Sequence, residues 1–527
     1  MTSQGARAAS GVQLAEIVAS IALAADLGLG QPLEHVLRAC VIATRFAERL
    51  DIPQHERDAT YWTTLFMAAG CTGGSFEQAQ IFGDDIDFRA GYMSLGPSSV
   101  EMFRYMMGKA GAQRGALAKT KVRSELFLTK MRAVEESFVA HCNVSAQLAQ
   151  RLGLGDEVIE CLKQTFTRWD RKGLPRGAGG GDLRTPIAIS VIATVASVRL
   201  RLHGREDAIA GLASFKGTWS PPWLIDRWLE HGAEVLAEVD DEQPTWDRVI
   251  RMQPQRGSAL TEDELDDALE LLGDYADLKS PWFSGHSRGV ASLAAAAARE
   301  AGLPDEDRRT IRRAAWVHDI GRNGVPNSIW DKPGPLSEAE MERVRLHAYY
   351  TDRVLRRASR LAMLASIASA AHERADGSGY PRAIAGSTIP MLGRILEAAD
   401  RYQAMLEDRP HRAAHSRAEA GSELRRAAIA GELDGAATDA VLAAAGHSVR
   451  RKPTAPASLT PREIEVLTLA ARGGTTRAVA RALGIAPKTA GNHLERIYTK
   501  IGVSTRAEAT MFAMRHGLLS SWESAET

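Results

Sequence analysis

The sequence predicts an all-α protein: two related helical domains in tandem, followed by a small helix-turn-helix bundle. Three observations carry this reading. Apolar residues recur at helical spacing throughout, as at Val290, Leu293, Ala294 and Ala297, or at Leu355, Leu361, Leu364 and Ile367. No run of alternating β-branched residues interrupts them. The chain also repeats itself, and then changes character at its C-terminal end.

At 527 residues the chain has room for roughly two to four domains, each with an ordinary core. Lys plus Arg and Asp plus Glu both number 65, so any nucleic-acid surface has to be local. Cys40, Cys71, Cys142 and Cys161 show no metal-binding spacing and read as reduced, mostly buried thiols, which points to the cytoplasm. The first apolar helix, around residues 14–29, carries Glu16 and Asp26, so it reads as core rather than membrane. No signal segment and no membrane partner are expected.

The repeat has a period of roughly 200–250 residues. His35, with Pro53 after it, lines up with His286 and Pro304 at the same interval. Gly70 then falls on Gly321, so Met67 and Ala68 stand where His318 and Asp319 stand. His141 matches His347, Phe166 matches His372, and the Asp170, Gly173, Pro175 turn matches Asp376, Gly379 and Pro381. Ala196 falls near Asp400 if a two-residue gap is allowed. The first copy thus keeps two of the histidines and the turn but no set that would hold a metal tightly, and it reads as a pseudo-enzyme. A joint is expected at residues 252–258 and a Pro-rich basic linker at 447–458. The expected domains are therefore 1–255, 256–446 and 459–527. The Gly-rich 177–181 segment lacks a following Gly-Lys-Ser/Thr and reads as a loop.

The chemistry is carried by the second copy. His318 and Asp319 are adjacent, at the end of a helix that starts near Asp307, and put an imidazole and a carboxylate on one turn. His286 opens the preceding helix, and Asp400 lies late on a helix over 393–405. His347 and His372 are also expected on helices. Two imidazoles and two carboxylates suit one divalent ion, and Asp319 can bridge to a second ion held by His347 and His372. Such ions neutralise phosphoryl oxygens and activate water, so the set describes a metal-assisted phosphohydrolase.

Residues 286–412 resemble the HD superfamily of phosphohydrolases, and more narrowly its HD-GYP branch. The likeness rests on His318-Asp319-Ile320-Gly321, on residues 330–336, His347, residues 372–381, Ile389-Pro390, Ala399-Asp400 and residues 408–412. It implies hydrolysis of cyclic di-GMP with iron or manganese. By that likeness His286, His318, Asp319 and Asp400 hold one ion, and Asp319, His347 and His372 the other. Asp319 and Arg322 become the candidate catalytic residues, with Arg322, Tyr380 and Arg409 as candidate substrate contacts. Three departures stand out. Ala371 replaces one of two usual adjacent histidines. Trp282 replaces a usual glutamate, which argues against a third ion. Arg322 replaces a usual lysine, giving a planar, bidentate phosphate donor.

Residues 459–519 hold nine Lys or Arg against four Glu and no Asp. Thr460, Pro461 and Glu463 form a helix-start signal. A short helix over 477–483, a turn at 484–486 and a second helix over 487–500 make a helix-turn-helix pattern. On the second helix Ala490, Leu494, Ile497 and Ile501 form the inward stripe. Lys488, Thr489, Asn492, His493, Arg496 and Lys500 face outward, where they can reach phosphates and base edges. The segment resembles the LuxR-type DNA-binding domain through its Leu-Thr-Pro-Arg-Glu start, Ala-Leu-Gly-Ile and Lys-Ile-Gly-Val-Ser. Ala486 in place of a capping Ser or Thr costs about 1 kcal/mol, and Gly491 inside the helix costs roughly another 1 kcal/mol. Such modules act in pairs, so a homodimer on double-stranded DNA is expected. The whole reads as a transcription regulator with a cyclic-dinucleotide phosphodiesterase domain; the alternative is a regulator that senses nucleotide and metal without cleaving.

Overall fold

Capping residues set the helix boundaries. Thr261 with Glu264, Ser337 with Glu340 and Ser416 with Glu419 close reciprocal capping boxes at the starts of Glu262–Asp277, Glu338–Leu355 and Arg417–Ile429. In the computed structural model, residues 11–96, 98–112, 115–129, 132–239, 243–254, 259–449, 457, 459–516 and 518–519 are described. Among them every extended regular element is helical, and the only strand-like pairings are isolated bridges at Lys216/Ser220 and Arg409/Arg412. The all-α expectation therefore holds. Residues 255–258 of the expected joint, and most of the expected linker, lie outside the described residues.

The chain divides into two units, Met1–His447 and Ser448–Thr527. Within the first unit the repeat is visible helix by helix. His35–Glu48 and His286–Glu300 both open on the histidine, each preceded by a residue in the left-handed conformation, Glu34 or Gly285. The next helices, Gln54–Phe66 and Asp305–Val317, are each capped by a proline. Further on, Arg132–Arg151 answers to Glu338–Leu355, and Thr185–His203 to Met391–Met405. The likeness also extends upstream of the histidines: Asp26 accepts the backbone N–H of Val36, and Asp277 that of Ser287.

Glycine fixes the turn in both copies. A Cβ on Gly70 would lie 2.1 Å from the His141 carbonyl oxygen, and one on Gly321 would lie 2.0 Å from that of His347. Only a residue without a Cβ lets the turn approach its helix so closely. One correspondence differs from expectation. Leu183 bonds Gly180 as Ile389 bonds Gly386, and Ala188 bonds Arg184 as Arg394 bonds Pro390. That constant register needs no gap, so Thr194, not Ala196, occupies the place of Asp400. Ala196 is buried in the first copy's core around Phe46 and Trp228.

Thr185–His203 is long and apolar enough to cross a membrane, yet its Ile187, Ile189, Ile192 and Ala193 are packed inside that core. The helical run expected through 355–367 breaks after Leu355 and resumes as a short helix, Ala362–Ala368.

The two copies interlock. Leu27 and Gly28 pack against Gly324 and Asn323 of the second copy, and Thr72 donates to the Tyr275 hydroxyl at 2.9 Å. A segment found only in the first copy, which includes Ser75–Phe82 and Asp85–Tyr92, adds the deepest link. Asp85 is wholly buried. It takes Lys279 Nζ at 2.7 Å, Arg89 Nη1 at 3.1 Å and the backbone N–H of Asn327 at 2.8 Å. Lys279 is equally buried, and two residues beyond it begins Pro281–Phe283, which forms one wall of the second copy's site.

The second unit packs four helices, Pro461–Ala471, Thr476–Leu483, Pro487–Ile501 and Arg506–Arg515, around Val466, Leu467, Val479, Ala490 and Ile497. Gly484 ends the second helix in the left-handed conformation, as the turn requires.

Removing one member of a buried ion pair strands the other, a loss of about 3–5 kcal/mol. Asp85→Ala strands two cations and is expected to lose that much in urea unfolding. Lys279→Met leaves Arg89 as a partner for Asp85 and is expected to lose clearly less; the reverse order would refute this account of the interlock.

Candidate metal centre

Six side chains from five segments of the second copy meet at one place. His286 is the first residue of its helix, His318 and Asp319 follow directly after Asp305–Val317, and His347 lies mid-helix in Glu338–Leu355. Asp400 lies late in Met391–Met405. His372 differs from expectation. It sits not on a helix but in the turn after Ala362–Ala368, where its carbonyl accepts from the Tyr380 N–H at 3.0 Å. The Asp376–Pro381 turn folds back on it, and Gly379 allows this, since a Cβ there would lie 2.3 Å from the Arg374 nitrogen.

The ligand atoms fall into two groups, each within 4.8 Å: His286, His318, Asp319 and Asp400, then Asp319, His347 and His372. Asp319 belongs to both. Its Oδ2 lies 2.7 Å from His318 Nε2 and 3.6 Å from His286 Nε2, while its Oδ1 lies 3.2 Å from His347 Nε2 and 3.5 Å from His372 Nε2. Asp400 Oδ1 approaches His286 Nε2 at 3.0 Å. His347 Nε2 and His372 Nε2 are 2.7 Å apart.

This donor set fits a divalent metal. His318 Nε2, both oxygens of Asp319 and Asp400 Oδ1 are buried without a hydrogen-bond partner among the described residues. Orphaned atoms of this kind are costly unless something else satisfies them. The imidazoles are also set as ligands: His318 Nδ1 contacts the Ala315 carbonyl at 2.7 Å and His347 Nδ1 that of Val344. Those contacts favour a proton on Nδ1 and a lone pair on Nε2, aimed at the cluster. His286 Nδ1 is held the same way by Glu407 at 2.9 Å. Glu407 was not foreseen. A lone glutamate between a helix and a loop carries no spacing signal, and only the fold brings it to His286.

Electrostatics at the centre are those of a mixed cluster. Burial alone would raise Asp319, but Arg322 and His318 hold it well below the usual carboxylate range. Asp400 is likewise held low against burial by His286 and His318. Burial and Arg322 oppose charge on His286, yet Asp319, Asp400 and Glu407 carry it up to about 10. Burial opposes charge on His318 too, and Asp319 and Asp400 raise it to about 9. His347, buried beside His372, is lowered.

Arg322 contacts Asp319 Oδ2 and reaches His286 Nε2 at 3.3 Å. Its guanidinium lies 4.2 Å from the centre of the Phe283 ring and 5.8 Å from that of Trp330. Its Nε and Nη1 are buried and have no hydrogen-bond partner among the described residues. Tyr380 stacks on His372 with ring centres 5.2 Å apart. Arg409 lies over Phe283, but its Nη2 already binds Glu407 at 2.6 Å and its Nη1 the Trp282 carbonyl. Ala371, at the position where the resemblance implies a second adjacent histidine, is buried.

In the second unit Lys488, Thr489, Asn492, Arg496 and Lys500 are exposed on Pro487–Ile501, and His493 is half-buried. Lys500 binds Glu463 at 2.7 Å. Ala490 and Ile497 are buried, with Leu494 and Ile501 packed partly against the same core. The helix begins at Ala486 with no side-chain cap.

Comparison with known proteins agrees with this geometry. The HD domain family matches residues 270–436, and the bacterial regulatory proteins of the luxR family match residues 457–513. A 3'3'-cGAMP-specific phosphodiesterase (phosphodiesterase 3) of Vibrio cholerae is 30% identical over 405 residues, covering 76% of this chain and 88% of that protein. The chain belongs to the HD-GYP family of HD-domain phosphohydrolases. A cyclic di-GMP phosphodiesterase of Thermotoga maritima is 36% identical over 151 residues, 28% of this chain and 40% of that protein. A crystal structure of a cyclic GMP-AMP-specific phosphodiesterase of V. cholerae superposes with a TM-score of 0.58 at 26% identity, covering 84% of this chain and 99% of that one. Both of the V. cholerae alignments reach well beyond the HD-matched segment.

Glu397, one turn before Asp400, is buried with Oε2 unpartnered among the described residues, and burial lifts its carboxyl to about 9. Its folded pKa thus lies above the ordinary value near 4.5. The folded state keeps a proton that the unfolded chain releases, so this contribution to stability is present below about pH 4 and is lost as pH rises toward 9. Glu397→Gln is expected to raise the Tm of metal-free protein at pH 8 by several degrees and to change it little at pH 4.5. Calorimetry at both values checks this, and equal Tm shifts would contradict it.

Proposed function

We propose that this chain is a DNA-binding regulator whose second repeat hydrolyses a 3',5'-linked cyclic dinucleotide, cyclic di-GMP or 3'3'-cGAMP. The observation that carries the reading is the sharing of Asp319 between two buried ligand groups, with unpaired donors of Arg322 beside it. His286, His318, Asp319 and Asp400 would hold one ion, and Asp319, His347 and His372 the other. Imidazoles and carboxylates without a thiolate suit iron or manganese. When bound, the ions supply the charge neutralisation and water activation that phosphodiester cleavage needs.

The protein's own groups do the rest. Stacking on Phe283 and Trp330 holds the Arg322 guanidinium in one plane, with Nη2 on Asp319 and its Nη1 hydrogens left to donate to a phosphoryl oxygen. Asp319 and Arg322 are thus the catalytic pair. Tyr380, stacked on His372, offers an aromatic face at the site to a purine base. Arg409, with Nη1 and Nη2 engaged, acts through Phe283 and Glu407 rather than by gripping the nucleotide.

A second reading, nucleotide and metal sensing without cleavage, is favoured by one observation: the second group has only three donors, with Ala371 beside His372. In both readings Pro487–Ile501 enters the major groove of double-stranded DNA, presenting Lys488, Thr489, Asn492, His493 and Arg496. Lys500 is set apart from this group by its bond to Glu463. Pairing of two chains would place two such helices on one site, and the chain would act in the cytoplasm.

Hydrolysis of cyclic di-GMP and 3'3'-cGAMP by manganese- or iron-loaded protein tests the catalytic reading. Asp319→Asn is expected to reduce turnover to background, and Arg322→Ala to cost about 10²-fold. Turnover that survives Asp319→Asn would dismiss the site, and metal and nucleotide binding by a wild type that does not turn over would favour the sensor. For DNA, Lys488→Ala and Arg496→Ala should each reduce the salt slope of binding by about one, whereas Lys500→Ala should leave it nearly unchanged. Gel shifts across a salt series distinguish these outcomes.

A further inference from the structure

The first repeat contains a pocket of about 180 Å³. Its lining includes His35, Met67, Ala68, His141, Phe166 and Thr194. These are the six positions that in the second repeat carry His286, His318, Asp319, His347, His372 and Asp400. The correspondence is physical as well as sequential: Thr194 Oγ1 meets Met67 Sδ at 3.8 Å where Asp400 meets His318 at 3.6 Å. The pocket is therefore the metal centre's counterpart with both carboxylates and two imidazoles removed.

What replaced them is apolar. The segment that the second repeat lacks adds Phe88, Tyr92, Met93 and Met102 to the wall. Aromatic and methionine side chains make adaptable apolar surfaces. The one cation on the wall, Arg89, is already matched by Asp85 and by Gln78, Ser75 and the Gly28 carbonyl. Among the described residues an anionic ligand would find no unpaired charge there. Of the two remaining histidines, His141 Nε2 binds the Met67 carbonyl at 2.8 Å. His35 is different. Its Nδ1 meets Ser197 Oγ at 3.2 Å, but its Nε2 is buried without a hydrogen-bond partner among the described residues, and the residue is 5% exposed. Burial, with Arg201 and Arg38 nearby, lowers His35 to about 4, and burial above all, with Arg89 nearby, lowers His141 to about 4. Both are neutral at physiological pH.

An engineered apolar cavity of roughly 150 Å³ takes up benzene, so this pocket has room for a substituted ring or a short branched chain. We propose that the first repeat is a binding site for a small, neutral, mostly apolar molecule whose single hydrogen-bonding group docks on His35 Nε2. The pocket is an effector site made from the frame of a metal centre, independent of whether the second repeat cleaves.

The full-length protein can be titrated with 4-ethylphenol and with ethylbenzene, using calorimetry and ligand-observed NMR. The hydroxyl can either donate or accept, so it suits either tautomer of His35. We expect one 4-ethylphenol per chain and about tenfold weaker binding of ethylbenzene, the loss of one hydrogen bond. His35→Phe should bring the two probes to similar affinity. Thr194→Phe, which fills the pocket, should abolish both while the helical circular dichroism persists; if that variant does not fold, the probe pair on wild type and His35→Phe decides alone. Failure of 4-ethylphenol to bind at millimolar concentration would overturn the proposal, as would a preference for the hydroxyl that persists in His35→Phe.

Discussion

One close approach organises the first unit. The turn after Gln54–Phe66 in one copy and after Asp305–Val317 in the other lies with a glycine directly against the carbonyl of a histidine on a later helix, His141 and His347 respectively. Nothing larger than hydrogen fits. Because that contact fixes the turn, the residues just before it are projected to the same point in space in both copies. In the second copy they are His318 and Asp319, and in the first Met67 and Ala68. The frame is common to both, and the chemistry depends on what stands two or three residues from the glycine.

That frame accounts for what could be read in advance. Gly70 and Gly321, and the glycines of the two Gly-x-Pro turns, share intervals because each is tied to an unforgiving backbone contact, and His35 and His286 because the residue after each is held by an aspartate ten residues upstream. Thr194 escaped because no such contact marks it in the sequence. The two-residue gap allowed in the sequence placed Ala196 there, and the helix register restores Thr194 as the partner of Asp400. His372 was expected on a helix since apolar spacing runs up to Ile367. The turn chemistry of residues 376–381 then closes on the histidine and ends the helix early. Glu407 and Asp85 were invisible for another reason. Each meets partners far away in the chain, at His286 and at Lys279, through packing that no local pattern records.

The C-terminal unit was the most legible part. Its capping box, its glycine turn and its inward stripe are all local signals, and local signals survive reading from sequence alone. The exception is Lys500, which spacing places with the outward residues and which an acidic neighbour from another helix claims.

The carboxylate of Asp85, sealed between Lys279 and Arg89, has an evolutionary consequence. A duplicated half that has lost its ligands would ordinarily drift or be deleted without harm. Here its loss would leave an ammonium group stranded in apolar surroundings next to the wall of the surviving centre. The second repeat's stability is thereby tied to the first whatever the first binds, which leaves the chamber in the first repeat free to serve a ligand of its own.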